Sequence, residues 1–365
     1  MTLARRLSLL AQTLRRLPEF GNPTLDDLQN WVKEELGSID ALDRPSKNLQ
    51  AIAPRYIYHI AASTLPISLW QTLLRGLVLG SYNIVKLPSN VRPETYRRFS
   101  DALPTSLRKM VTYQRQFDLR TFQQADAIIA LASDATIQEL RRHLLPHQRF
   151  IAYGTKWSFL CGTFYSQPSN SKVSILHAVA RDFLTYHHTG CLSPRAIFLS
   201  PQDDALDFAK GLLDVIVHNK SQSHSPPLSL TLSEKLLIQD CRARAHFKRQ
   251  PLFFSEIEGW PYTLIVQSLS EFQMVDAPFV LPIVSLSSWN QLSELKSLSN
   301  KISTVGFFGS VPSLVEKIWI ELGATRFCPA GSMQFPPLNW KHDGDYTLRP
   351  LIRWVSKDGA SISAP

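Results

Sequence analysis

The chain of 365 residues is 44% hydrophobic and 19% charged, which excludes a disordered protein and is more than one ordinary core holds, so two domains are expected. Its formal net charge of +9 favours an anionic partner, but the basic residues are spread along the chain rather than gathered in a block, which argues against nucleic acid. The four cysteines, Cys161, Cys191, Cys241 and Cys328, are far apart and form no C-x-x-C pair, so neither a disulfide framework nor a zinc site is expected and a reducing cytoplasm fits best.

The start, MTLARRLSLLAQTLRRL, carries arginines throughout and lacks the uninterrupted apolar core of a secretory signal. Leu3, Leu7, Leu10, Leu14 and Leu17 fall on one stripe of a basic amphipathic helix, read as packed on a core in preference to a membrane surface. Thr24 and Gly37 bound a helix over LDDLQNWVKEEL. YIYHIAAS reads as a buried strand, and PISLWQTLLRGLVL as a helix with Pro66 in its first turn and Gly80 at its end. Pro66, Gln71 and Arg75 make this apolar stretch a poor transmembrane span. The strands NIVKLPS, ADAIIALA and RFIAYG then alternate with the helices RPETYRRFSDAL and DATIQELRRHL, the second capped by Asp134. Such alternation predicts a parallel sheet with helices on both faces.

After Gly154 the pattern restarts. VSILHAVARDFLTYHHTGC predicts a helix that leads into a turn at Cys191, followed by the strand RAIFLS, the helix QDDALDFAKGLLDVIVHN and the surface loop KSQSHSPPLS. YTLIVQS, FVLPIVSL and STVGFFG supply further strands, VPSLVEKIWIELGA a helix, and TRFCPAG a strand with a turn. Cys191 lies between Gly190 and Leu192-Ser193-Pro194, where the backbone turns; from this local sequence alone it is as readily a buried structural thiol as a nucleophile.

Three stretches decide between these readings: TLPISLWQTLLRGLVLGSYNIVKLPS (Thr64 to Ser89), GCLSP (Gly190 to Pro194) and CPAGSMQFPPLNWKHDGDYTLRPLIRWV (Cys328 to Val355). In order and spacing, and with ADAIIALASDATI between them, they resemble the acyl-CoA reductases of LuxC type, within the aldehyde dehydrogenase superfamily. GCLSP and MQFPPLNWKHDG are the most specific parts, and the resemblance runs from about Pro54 to the end. It implies an aldehyde-dehydrogenase-like α/β fold. Residues 1–152 would hold the N-terminal helices and a Rossmann-type, parallel-sheet NADP-binding domain, residues 153–335 a second α/β catalytic domain, and residues 336–365 a tail packing at the domain interface. It also implies NADPH-dependent reduction of a long-chain fatty acyl thioester, from acyl-CoA or an acyl carrier protein, to a fatty aldehyde. Cys191 would carry the acyl group, since a thiolate exchanges readily with a thioester.

The same resemblance gives roles to other residues. Lys86 matches a lysine that ends a buried strand and reaches the adenosine ribose or its 2′-phosphate, and Ser89 would add a hydroxyl to that phosphate. Thr64 stands where the superfamily often has an asparagine that helps hold the oxyanion; its hydroxyl donates but is shorter. Ala152 stands where oxidising members carry the glutamate that activates water, which suits a reductase, and the glutamate that holds the nicotinamide ribose has no clear counterpart near PFVLPIV. The remaining residues are read conservatively. His187 and His188 are expected as solvated turn histidines, Cys161, Cys241 and Cys328 as structural, and the run RARAHFKRQ (Arg242 to Gln250) as a solvated helix face, with coenzyme A phosphates or an acidic carrier as its alternative ligands. An acyl-activating partner subunit and a homo-oligomer are compatible with the family. Two rivals stand beside the reductase: a catalytically decayed fold serving as a scaffold for a fatty-acid-activating partner, and an acyltransferase or thioesterase that uses Cys191 without a nucleotide.

Overall fold

The structure, a computed structural model, describes residues 1–44, 49–165, 167–221, 230–257 and 259–356, so the loop expected at KSQSHSPPLS lies, beyond Ser221, outside the described residues. The chain divides into two compact units, Met1–Thr155 together with Pro337–Pro365, and Lys156–Pro336.

The first unit opens with α1 (Leu3–Leu14), whose leucine stripe is buried as the periodicity requires, and α2 (Leu25–Leu36). Thr24 and Asp27 form a reciprocal capping box at the start of α2, and Gly37 stops it in the left-handed region at φ 81°. There follow β1 (Leu49–Ile52), β2 (Tyr56–Ile60), α3 (Pro66–Leu79), β3 (Tyr82–Lys86), α4 (Pro93–Ala102), α5 (Thr105–Arg108), β4 (Val111–Gln114), α6 (Leu119–Gln124), β5 (Ala127–Leu131), α7 (Asp134–Arg141) and β6 (Arg149–Tyr153). Five of these strands form one parallel sheet in the order β4-β3-β2-β5-β6. Alternate strand residues feed two cores: Ile57, Val85 and Ile129 face α1, α3 and α4, while Tyr58, Ile128 and Ala130 pack with Phe122 and Leu140 on the opposite face. The cap of α7 is Ser133, not Asp134. Ser133 has the extended backbone of a cap and its hydroxyl accepts from Thr136 N–H, whereas Asp134 is already helical and its carboxylate accepts from Thr155 N–H at 2.9 Å.

The second unit contains β7 (Trp157–Gly162), α8 (Ser169–Leu184), β8 (Pro194–Leu199), α9 (Ala205–Ser221), α10 (Leu232–Phe247), β9 (Leu252–Ile257), β10 (Trp260–Ser268), β11 (Val280–Ser285), β12 (Ile302–Phe308), α11 (Ser313–Glu321) and β13 (Arg326–Pro329). Its sheet runs β13-β12-β7-β8-β11-β10-β9, parallel except for the edge strand β9. β8 lies at the centre, buried along its whole length. One face packs Ile197 and Leu199 against Phe183, Phe208 and Leu212 of α8 and α9; the other packs Ala196 and Phe198 against Leu292 and against Trp319 of α11.

The tail returns to the first unit. β14 (Arg353–Ser356) pairs antiparallel with β1. His342 stacks on Tyr153 with ring centroids 3.9 Å apart, and its Nδ1 accepts from the buried Arg75 guanidinium at 3.1 Å. The buried Glu35 of α2 accepts from the N–H groups of Thr347, Leu348 and Arg349, the Thr347 hydroxyl and the Trp31 indole. His342, Thr347 and Leu348 of this tail are therefore buried within the first unit. Among the described residues no helix is long and apolar enough to cross a membrane.

Candidate active site

In the second unit, Cys191 is exposed at the tip of a turn between α8 and β8. Ser193 N–H donates to Gly190 C=O at 3.1 Å, which closes the turn around the cysteine. The Ser158 hydroxyl on β7 donates to Cys191 C=O at 2.8 Å, and Gln334 Nε2 donates to Ser193 Oγ at 3.0 Å and to Asp182 C=O at 3.2 Å. Asp182 itself accepts from Met333 N–H at 3.0 Å, so the MQF stretch of the third motif packs directly on the cysteine turn. The thiol is thus carried on a backbone held from three sides while its side chain faces outward.

The segment before the turn is strained. Tyr186, His187 and His188 are three successive non-glycine residues in the left-handed region, at φ 55°, 56° and 59°. Such residues cost on the order of 1–3 kcal/mol each and persist only where surrounding contacts hold them. The hold comes from His188, which is fully buried and not the solvated turn residue expected from sequence. Phe279 N–H donates to its Nδ1 at 3.0 Å, so Nε2 carries the proton and donates to Pro194 C=O at 2.7 Å. The ring bridges the segment before Cys191 to the strand after it. Burial, helped by the nearby Arg195 charge, keeps its pKa well below the ordinary 6.5, and with both nitrogens occupied by backbone it is no base for the thiol. His187 is not solvated either: its ring stacks on buried Trp260, 4.8 Å between centroids.

His188 also ties stability to pH. Its folded pKa is depressed, so its contribution to stability is present above about pH 6.5 and is lost as pH falls. His188→Gln is expected to lower stability by about 2 kcal/mol at neutral pH and to flatten this acid-side slope, as read from denaturant unfolding across pH. An unchanged slope in the variant would refute the role.

In the first unit, Thr64, Lys86 and Ser89 come to the carboxyl edge of the parallel sheet. From β2 the chain steps outward to β3 and β4 and then returns to the other side of β2 as β5 and β6, so the switch in direction falls between β2 and β5. Ligands of doubly wound sheets bind at such a switch, beyond the carboxyl ends of the strands. Thr64 is exposed in the bend after β2, one residue before the N-cap Leu65 of α3. Lys86, half-buried, ends β3 in register with Ile60, and Ser89 is exposed three residues on. Ala152 lies within β6, paired with Ala130.

A model of the LuxC acyl-CoA reductases matches residues 6–354. The chain belongs to this family. It is accordingly an oxidoreductase acting on acyl and aldehyde groups. The fold is that of aldehyde dehydrogenases. A Mycobacterium tuberculosis aldehyde dehydrogenase complexed with NAD+ is similar at a TM-score of 0.66 and 11% identity, over 98% of this chain and 85% of that one. An NAD-dependent benzaldehyde dehydrogenase from Corynebacterium glutamicum is similar at 0.64 and 12% identity, over 100% and 86%. Comparison with curated protein sequences gave no match.

For the chemistry of this family, the other three cysteines are poorly placed. Burial pushes the Cys161 thiol up to about 12 and the Cys328 thiol up to about 11, and raises that of Cys241. The basic run on α10 is not uniformly solvated: Arg242 is buried, donating to Thr263 Oγ1 at 2.9 Å and to Glu256 at 2.6 Å. Sequence reading passed over Ser158, Gln334 and Arg195, which surround the cysteine turn from β7, the tail of the second unit and β8. Only Gln334 had a signal, its place within the family-specific block.

Proposed function

We propose that the protein reduces long-chain fatty acyl thioesters to fatty aldehydes with NADPH, through an acyl-enzyme on Cys191. The observation that carries the reading is the exposure of Cys191 on a braced turn in a chain of this family. The Cys191 thiolate attacks the thioester carbonyl, a bond forms between its sulfur and the acyl carbon, and the coenzyme A or carrier thiolate leaves. The reduced nicotinamide supplies, when bound, the hydride that takes the acyl carbon to the aldehyde level. Collapse of the resulting thiohemiacetal releases the aldehyde and returns the Cys191 thiolate. Each tetrahedral stage carries an oxyanion that needs donors; a backbone N–H of the cysteine turn is the natural one, and losing such a donor typically costs about 3 kcal/mol. Thr64, exposed after β2, retains the hydroxyl that this reading assigns to the same task.

The residues present suit a nicotinamide dinucleotide phosphate. Lys86 offers an ammonium and Ser89 a hydroxyl at the carboxyl edge of a parallel sheet, beside its switch point. The M. tuberculosis and C. glutamicum relatives in fold are described with NAD+ or as NAD-dependent, which supports a nicotinamide cofactor; the preference for NADPH rests on Lys86 and Ser89. Lys86→Ala is expected to raise the apparent KM for NADPH about tenfold or more, the worth of one charge-assisted hydrogen bond, with a smaller effect on the acyl substrate. Steady-state kinetics in each substrate check this, and equal effects on both would count against it.

The function is tested by adding long-chain acyl-CoA to the full chain with NADPH. Cofactor oxidation with fatty aldehyde as product supports the reductase. Free acid released without NADPH supports a thioesterase. Absence of both turnover and NADPH binding supports a scaffold for a fatty-acid-activating partner.

A further inference from the structure

Ser158 is the second residue of β7 and is fully buried, ahead of the apolar run Phe159, Leu160 and Cys161. A buried hydroxyl is costly unless its hydrogen-bonding capacity is used. Two backbone groups use it. Thr304 N–H of β12 donates to Ser158 Oγ at 3.3 Å, and the hydroxyl proton is left for Cys191 C=O, 2.8 Å away. The neighbouring strands shift their pairing at this point. On the β12 side Ile302 pairs with Trp157 and Val305 with Phe159, so Ser303 and Thr304 together face the single residue Ser158. On the β8 side the register shifts between Ser158 and Leu160. Thr304 N–H thus goes to a side chain where a regular ladder would use a strand carbonyl. Such irregularities re-aim a side chain at the expense of pairing. The side chain aimed here is Ser158, and its target is the cysteine turn.

We propose that Ser158 is a positioning residue that aims the oxyanion donor of the cysteine turn, and that this donor is Leu192 N–H. The inference rests on the reading of Cys191 as the nucleophile that carries the acyl group. Ser193 N–H closes the turn on Gly190 C=O, with Cys191 and Leu192 at its two corners. The peptide that joins the corners takes no part in the closing bond. It is planar and trans, so its carbonyl and its N–H point in opposite directions. Ser158 draws the Cys191 carbonyl in toward β7. Leu192 N–H, in the same plane, is thereby turned away from β7, outward like the exposed Cys191 side chain. The rest of the turn is held as well: the Leu192 side chain is buried, and Gln334 bonds the Ser193 hydroxyl. When a thioester carbonyl is attacked by the sulfur, negative charge develops on its oxygen, and a donor already fixed on that side needs no reorganisation as the charge forms. Without the Ser158 hydroxyl the joining peptide is free to rotate, and its N–H is present but unaimed.

The test compares two reactions of the same sulfur. Attack on a long-chain acyl-CoA builds an oxyanion, whereas alkylation by iodoacetamide displaces iodide at a saturated carbon and builds none. Acyl loading without NADPH is timed by intact mass, and alkylation of Cys191 by peptide mass spectrometry, both on the full chain. Ser158→Ala is expected to slow acyl loading about tenfold or more and to leave alkylation within about twofold. Ser158→Thr and Ser158→Val have the same shape and differ in the hydroxyl, so the first should load about tenfold faster than the second, whether or not the alanine variant folds. Equal slowing of both reactions would make Ser158 a support for the thiol itself, and unchanged loading would leave the donor independent of it; either result overturns the proposal. An unaltered chain that is alkylated but never acylated would remove the acyl-enzyme reading and this proposal with it, a result distinct from loading whose rate no Ser158 variant changes.

Discussion

Cys191→Ala is expected to lower NADPH-dependent reduction of acyl-CoA by at least about a thousandfold, since no second group shares the covalent step. Intact-mass measurement after incubation with long-chain acyl-CoA, without NADPH, should show one acyl group on the unaltered chain and none on the variant. The other thiols offer no substitute: Cys161 is fully buried and held protonated up to about 12, and Cys328 up to about 11. Cys191→Ser should keep the turn, because Ser158 bonds the backbone carbonyl rather than the sulfur, and should still fail to load. Full acylation of either variant would place the chemistry elsewhere.

The second large effect concerns stability. Glu35→Ala removes the acceptor for five buried or half-buried donors, from Trp31, Thr347, Leu348 and Arg349. Each donor left without a partner costs about 1–3 kcal/mol, so a loss of at least about 3 kcal/mol is expected in denaturant unfolding. The pH dependence adds a signature. Burial alone would raise the Glu35 pKa, but the Thr347 hydroxyl and the N–H groups of Thr347, Leu348 and Arg349 outweigh it and bring it below the ordinary 4.5. The stabilisation is therefore present above about pH 4.5 and lost as pH falls through the lowered folded value. Glu35→Gln keeps the shape and should abolish this slope. A slope equal to that of the unaltered chain would mean that another carboxylate produces it.

Much of the fold was legible because local signals agreed with the tertiary outcome. Thr24 and Gly37 mark α2 at both ends, and the apolar runs of β2 and β5 are too short for helices and too continuous for surface strands. Of the elements that escaped, β7 has a plain apolar run, WSFLCG, and was passed over between two stronger readings; others carry weak signals. β4 is a short edge strand of mixed polarity, and β9 is an edge strand that leaves Phe254 exposed. α10 shows Leu232, Leu236 and Phe247 to solvent and so lacks a clean apolar stripe. The proposed nucleophile and the proposed cofactor lysine were both singled out through family motifs. His188 was not, because its inward direction follows from three left-handed residues that no local propensity favours. Arg195 was not, because its ion-pair partner Asp276 lies some eighty positions later in the chain.

The first unit is assembled from two distant stretches of polypeptide. During synthesis, residues 156–336 emerge from the ribosome before β14 and the Thr347 partner of Glu35 exist. The second unit is contiguous and can close while translation continues. The first must wait, with Trp31, Glu35 and Arg75 uncovered, until the last segment arrives. Its nascent form is thus exposed to chaperones and proteases for the time taken to make the whole second unit, and a ribosome that stalls before Thr347 leaves the five-stranded parallel sheet without its closing piece.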